Sequence, residues 1–260
     1  MSRSSVSSTN PAVKASLFVT CVIDQFYPEV GESTVRVLRR SGVDLDFPKD
    51  QTCCGQPAFN SGHWSEARPL ARRFLKVFRG DRYIVAPSGS CATMVRVFYD
   101  ELLHDEPDAR AEAKDLAPRV FELSEFLVDV LGVSDFGLTS DPPAGTVKAT
   151  YHEACHLRRE LGVIEQPRSL IRGLPGVDLV EMEQAEVCCG FGGTFSVKYS
   201  DISGAMLQDK VDNIRASGAD TVVACDSSCL MQIGGGLEKQ DVPVRPLHLA
   251  QLLDERLGPR

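Results

Sequence analysis

The sequence has no stretch approaching the roughly 18 consecutive apolar residues of a membrane span. Its first ten residues are Ser-rich and carry no apolar segment of the kind found in a secretory leader. The expectation is a cytoplasmic protein with residues 1–13 disordered. Charge of one sign is also lacking: 28 Lys and Arg stand against 36 Asp and Glu, a net charge of −8, with no basic run. Nucleic acid, which clustered cations hold through its phosphates, is therefore not an expected partner. Neither a Gly-x-Gly-x-x-Gly after a strand nor a Walker pattern occurs, and Gly234-Gly235-Gly236 reads as a helix end. No serine sits in a nucleophile elbow, so hydrolase chemistry has no support. Cys-x-x-Cys, the knuckle of most zinc sites, is absent as well.

What the chain does contain is nine cysteines in 260 residues. In a reducing compartment structural disulfides are rare, and an odd count cannot pair fully, so metal binding or thiol chemistry leads. The cysteines fall into two sets. Cys21 is followed after 31 residues by Cys53 and Cys54, then after 36 more by Cys91. Cys155 is followed after 32 residues by Cys188 and Cys189, then by Cys225 and Cys229. Matched positions are offset by 134, 135 and 138 residues, and both adjacent pairs run into glycine, Gly55 and Gly190. Such self-similarity marks an internal repeat.

The segment 133–146, with Gly137, Asp141-Pro142-Pro143 and Gly145, reads as a linker between subdomains at 14–132 and 147–260. Short β-branched runs at 17–22, 83–86, 147–151 and 221–224 read as buried strands. Helical faces are marked by Leu70, Phe74, Val77 and Phe78, and by Leu207, Val211 and Ile214. The fold class expected is α/β: two similar βαβ-type subdomains with parallel sheets, related by a pseudo-twofold. Cys21, Cys91, Cys155, Cys225 and Cys229 fall at or just after the carboxyl ends of those strands, the edge where open α/β sheets bind ligands.

Four thiolates per site suit an iron–sulfur cluster or zinc. Neighbouring thiolates diverge and can touch different irons, and a following glycine lets the backbone come close or turn with positive φ. Cys225 is unmatched and reads equally as a ligand or as the buried end of a strand. His152 and His156 flank Cys155, near enough to ligate metal, to hydrogen-bond cluster sulfur or to move a proton, although surface or capping roles are the commoner use of histidine. Arg158 and Arg159 suit an anionic substrate or a solvated helix face equally. His248 aligns with Glu122, a mismatch that argues against a shared catalytic role.

The segments Cys53-Cys54-Gly55-Gln56-Pro57-Ala58-Phe59-Asn60-Ser61-Gly62, Tyr151-His152-Glu153-Ala154-Cys155-His156 and Cys188-Cys189-Gly190-Phe191-Gly192-Gly193 resemble the cysteine-rich CCG-domain family. That family includes the B subunit of heterodisulfide reductase and the iron–sulfur subunits of glycolate and glycerol-3-phosphate oxidising enzymes. The resemblance covers nearly all of the chain after residue 14 and is strongest to the lactate-utilization branch. It implies a 4Fe–4S type cluster on the matched cysteines and a place in a complex oxidising L-lactate to pyruvate. It also implies two partners: a ferredoxin-like iron–sulfur protein and a third lactate-utilization subunit. The fullest form of the motif ends in Cys-x-x-Cys, whereas the first of those two positions is Ser88 in one half and Asp226 in the other. Two readings from other classes stand beside this one: a metal-free thiol–disulfide protein, and a zinc-stapled scaffold that docks partner subunits.

Overall fold

A computed structural model describes residues 12–133, 136 and 145–258. Of the start expected to be disordered, residues 1–13, those up to residue 11 lie outside the described residues, as does most of the linker. The first half contributes strands β1 (Lys14–Leu17), β2 (Asp44–Asp46), β3 (Tyr83–Ala86) and β4 (Val120–Glu122). The second contributes β5 (Val147–His152), β6 (Val177–Leu179), β7 (Thr221–Ala224) and β8 (Arg245–His248). They form two four-stranded sheets ordered β2-β1-β3-β4 and β6-β5-β7-β8, and every pairing is parallel. The architecture is thus α/β with two similar subdomains.

Helices cover the sheets, so the central strands are buried; β3 and β7 read as near-continuous apolar runs, whereas β1 and β5 also carry Lys14, Ser16, Lys148 and Thr150. β3 and β7 lie where their β-branched runs predict. The strand expected over 17–22 instead lies at Lys14–Leu17, and Cys21 opens a helix over Cys21–Phe26. The Gln51 side chain accepts from Val19 N at 2.8 Å and donates to Leu17 O at 3.2 Å, taking over the backbone groups just past the strand end. Gly234, Gly235 and Gly236 do not end a helix but lie inside Ser227–Lys239. A Cβ at Gly236 would fall 2.9 Å from Leu207 Cδ1, so close approach to the Ser200–Ser217 helix explains that glycine. The helix over Trp64–Val77 buries Ala67, Ala71, Phe74 and Leu75; Leu70 and Val77 lie at the margin of that face.

The halves contact each other reciprocally. Pro28–Arg40 packs on Leu249–Leu257, and Glu165–Arg172 packs on Leu123–Glu125. Likewise Gly89–Thr93 packs on Cys155–Arg159, and Ser227–Lys239 on Cys21–Phe26. Each helix of one half meets the counterpart of its own partner, as twofold exchange requires. One buried cluster runs through both halves, from Ala15 and Leu17 to Leu252 and Leu253. A second, around Phe18, Phe74 and Tyr99, is built of buried residues of the first half, with Leu161 of the second packed against it. Ser33 and Arg36 bond Asp254 at 3.0 and 2.7 Å across the joint.

The mismatched pair Glu122 and His248 has a common structural use. Each ends the last strand of its half and caps the following helix: Glu122 Oε2 accepts from Ser124 N at 2.7 Å, and His248 Nδ1 accepts from Ala250 N at 3.0 Å. Either side chain satisfies amide groups that the first helical turn leaves without partners.

Candidate functional site

The strand order reverses between β1 and β3, and again between β5 and β7, which makes the carboxyl ends of those strands the topological switch points. Cys21 and Cys91 follow β1 and β3; Cys155 and Cys229 follow β5 and β7. All four sit in the first turn of a helix. The adjacent pairs come from the loops before Gln56–Asn60 and Phe195–Lys198.

Within the first set Cys21 Sγ lies 3.5 Å from Cys53 Sγ, and Cys54 Sγ lies 3.4 Å from Cys91 Sγ. The second set repeats this arrangement, Cys155 with Cys188 and Cys189 with Cys229. The glycine amides point back to sulfur: Gly55 N donates to Cys53 Sγ and Gly190 N to Cys188 Sγ, both at 3.4 Å. Those glycines have φ of +90° and +87°, the left-handed region, and a Cβ at Gly190 would meet Ser203 O at 2.6 Å. Hydrogen bonds from Cys21 and Cys54 hold the Cys53 thiol down to about 3, and those from Cys155 and Cys189 hold Cys188 down to about 2. The donor thiols of Cys21, Cys54, Cys155 and Cys189 are pushed up in turn. Each half thus brings four sulfurs together as two close pairs, a donor set whose chemistry suits an iron–sulfur cluster or zinc.

Except for Cys53, the matched cysteines of both halves line one cleft. His156 also lines it, with Nδ1 3.3 Å from Gln56 Nε2 of the other half. His152 lies deeper and fully buried, and neither ring nitrogen has a partner among the described residues. It groups with Cys189 and Cys229, the ligand atoms all within 4.8 Å of one another. Burial lowers its pKa to about 3, which keeps the imidazole neutral and able to ligate or to share a hydrogen bond.

A family model described as the cysteine-rich CCG domain matches residues 15–96 and 149–234. The chain belongs to the CCG family. Lactate utilization protein A of Geobacillus kaustophilus is 46% identical over 244 residues, covering 94% of this chain and all of that protein. The protein of that name from Halalkalibacterium halodurans is 44% identical, covering 94% and 98%. Lactate utilization protein A 2 of Bacillus cereus is 43% identical over 95% of this chain and all of the relative. A crystal structure of a hypothetical protein from Helicobacter pylori has the same fold: TM-score 0.64 at 10% identity, over 96% of this chain and 50% of that one.

The structure separates other candidate residues from the CCG cleft. Cys225 is fully buried, its Sγ 3.5 Å from Tyr151 Oη, and it does not line the cleft. Burial pushes its thiol up. Arg158 pairs with Glu153, Arg159 is exposed, and neither reaches the cleft. Ser88 and Asp226 do line it, each capping the helix that carries the last cysteine of its half.

One residue went unnoticed in the sequence. Lys210 is fully buried, with Nζ donating to Gln184 O at 2.7 Å and Ala185 O at 3.3 Å. The signal was there: Lys210 falls three residues after Leu207 and four before Ile214, on the apolar stripe of its own helix.

Proposed function

We propose that this chain is the iron–sulfur electron-transfer component of a cytoplasmic complex that oxidises L-lactate to pyruvate. The observation that carries the reading is the pairing of two four-cysteine sets across one cleft, in a chain similar from end to end to lactate utilization protein A. Cys21, Cys53, Cys54 and Cys91 would hold one cluster, and Cys155, Cys188, Cys189 and Cys229 the other, in subdomains spanning 14–132 and 147–260. Cys225 takes the core alternative, given its contact with Tyr151. A bound cluster would supply one-electron acceptance and release at a potential set by its ligands and surroundings.

The chain's own residues do the rest. The amides of Gly55 and Gly190 stabilise the sulfur charge, and the shared cleft keeps the two sets near each other. Oxidation of lactate to pyruvate releases two electrons and two protons. In this reading the ferredoxin-like partner and a third subunit supply the lactate chemistry and the onward electron path. Among the described residues no helix is long and apolar enough to cross a membrane.

Zinc is a second reading, because two sulfur pairs of the first set lie at 3.5 and 3.4 Å. A single tetrahedral ion with bonds of about 2.3 Å holds its sulfurs roughly 3.8 Å apart. Anaerobic purification separates the readings. Iron and acid-labile sulfide in stoichiometric amount, with a paramagnetic signal on reduction, support the cluster; stoichiometric zinc supports the scaffold. A colourless, metal-free protein that is fully active in the reconstituted complex overturns both.

A further inference from the structure

The repeat aligns Phe18 with His152, because β1 pairs Leu17 with Val85 where β5 pairs Tyr151 with Val223. It also aligns Phe74 with Lys210, since the residues facing the two motif glycines, Ala67 and Ser203, lie seven positions before each. In the first half these positions hold an edge-to-face aromatic pair with ring centroids 4.9 Å apart, packed in the buried cluster with Cys54 and Cys91. In the second half the same two positions hold an imidazole and an ammonium. Both are fully buried, and they act on one another electrostatically. His152 groups with Cys189 and Cys229, and Lys210 is bonded to the carbonyls of Gln184 and Ala185, three to four residues before Cys188.

We infer that the exchange of Phe18 and Phe74 for His152 and Lys210 makes the two metal centres unequal, with the second-half centre the electron-accepting end of the pair. The inference rests on the cluster reading above and goes beyond it by assigning a direction. Reduction adds one negative charge to a centre. A buried cation next to the second centre, in surroundings of low dielectric, favours that added charge, whereas a benzene ring next to the first does not. The carbonyls of Gln184 and Ala185, in the segment that leads into Cys188, hold the Lys210 side chain in place and away from solvent. His152 adds two ring nitrogens that no other described group engages, available to the sulfurs of the same centre. With clusters bound, transfer from the first set to the second would be the downhill direction, the first losing one electron as the second gains one, with no further reactant.

A redox titration of the whole, anaerobically purified chain, followed by paramagnetic resonance, tests this directly. Wild-type protein should titrate in two waves. Cys54→Ser, which disables the first set, should keep the wave at higher potential, and Cys189→Ser the wave at lower potential. Lys210→Met should move the higher wave to more negative potential and leave the lower one in place, with iron content unchanged. His152→Phe, which installs the residue of the first half, should act in the same sense. Two centres at one potential, or the lower wave surviving in Cys54→Ser, overturns the assignment while leaving the cluster reading intact. Absence of iron and sulfide from wild-type protein overturns the cluster reading and this inference with it.

Discussion

Ser88 and Asp226, which stand where a cysteine would complete a Cys-x-x-Cys ending in each half, meet across the joint: Ser88 Oγ donates to Asp226 Oδ2 at 3.1 Å. The same carboxylate oxygen accepts from Ser90 N at 2.9 Å, and Oδ1 accepts from Ser228 N and Ser228 Oγ. Close by, Gly89 N donates to Cys225 O at 3.2 Å. The departures from the fullest motif thus form a polar bridge between the two cysteine sets.

Removing that acceptor takes the partner from Ser90 N and leaves the buried Ser88 hydroxyl only Ser90 Oγ at 3.3 Å. Asp226→Ala should lower unfolding stability by about 3 kcal/mol, as expected for a buried charged acceptor. Asp226→Cys, which completes the motif, should lose stability too, because a thiol is a poor acceptor for these donors. Urea denaturation measures both; midpoints equal to the parent protein would refute the bridge.

The motif glycines should differ in tolerance. Gly190→Ala places a Cβ 2.6 Å from Ser203 O, whereas Gly55→Ala places one 3.3 Å from Ala67 O. Each pays about 1–2 kcal/mol for a left-handed conformation, and only the first adds a backbone clash. Gly190→Ala is expected to melt at the lower temperature of the two, and the reverse order would contradict this geometry.

The paired caps predict opposite pH dependence. Burial holds His248 at about 4 against an ordinary 6.5, so the unfolded chain takes up a proton first as pH falls. Its contribution is complete above pH 6.5 and is lost on the way down to pH 4, amounting to ~3 kcal/mol. His248→Asn keeps a capping acceptor and should flatten that acid limb. Burial raises Glu122 to about 8, so the folded state holds its proton longer and stability falls as pH rises from 4.5 toward 8. Glu122→Gln should therefore be relatively more stable than the parent at pH 8 than at pH 5. Denaturation series across pH would read both slopes.

Ligand roles are separable by half. Cys54→Ser and Cys189→Ser should each lose the iron of their own set while circular dichroism keeps the α/β signature. Unchanged iron in both variants would remove these cysteines from the ligand set.

The repeat, the matched cysteines, and the positions of β3, β5 and β7 were legible in the sequence, because spacing and β-branched runs are local properties of the chain. Cys21 was read one element early. The run over 17–22 is β-prone throughout, and only pairing with β2 and β3, together with the Gln51 side chain, ends β1 at Leu17. The glycine run over 234–236 was read as a helix end because its packing partner, Leu207, lies on another helix.

What the sequence determined by itself was the spacing of the thiols: four matched cysteines per half, each adjacent pair followed by a glycine. Tertiary structure alone decided that both sets open on one cleft, that Ser88 meets Asp226, and that Lys210 and His152 stand where the first half has Phe74 and Phe18. The physical reason is range. Ligand type and local turn geometry are written in neighbouring residues, whereas charge inside a low-dielectric core depends on which distant side chains the packing of two sheets brings together.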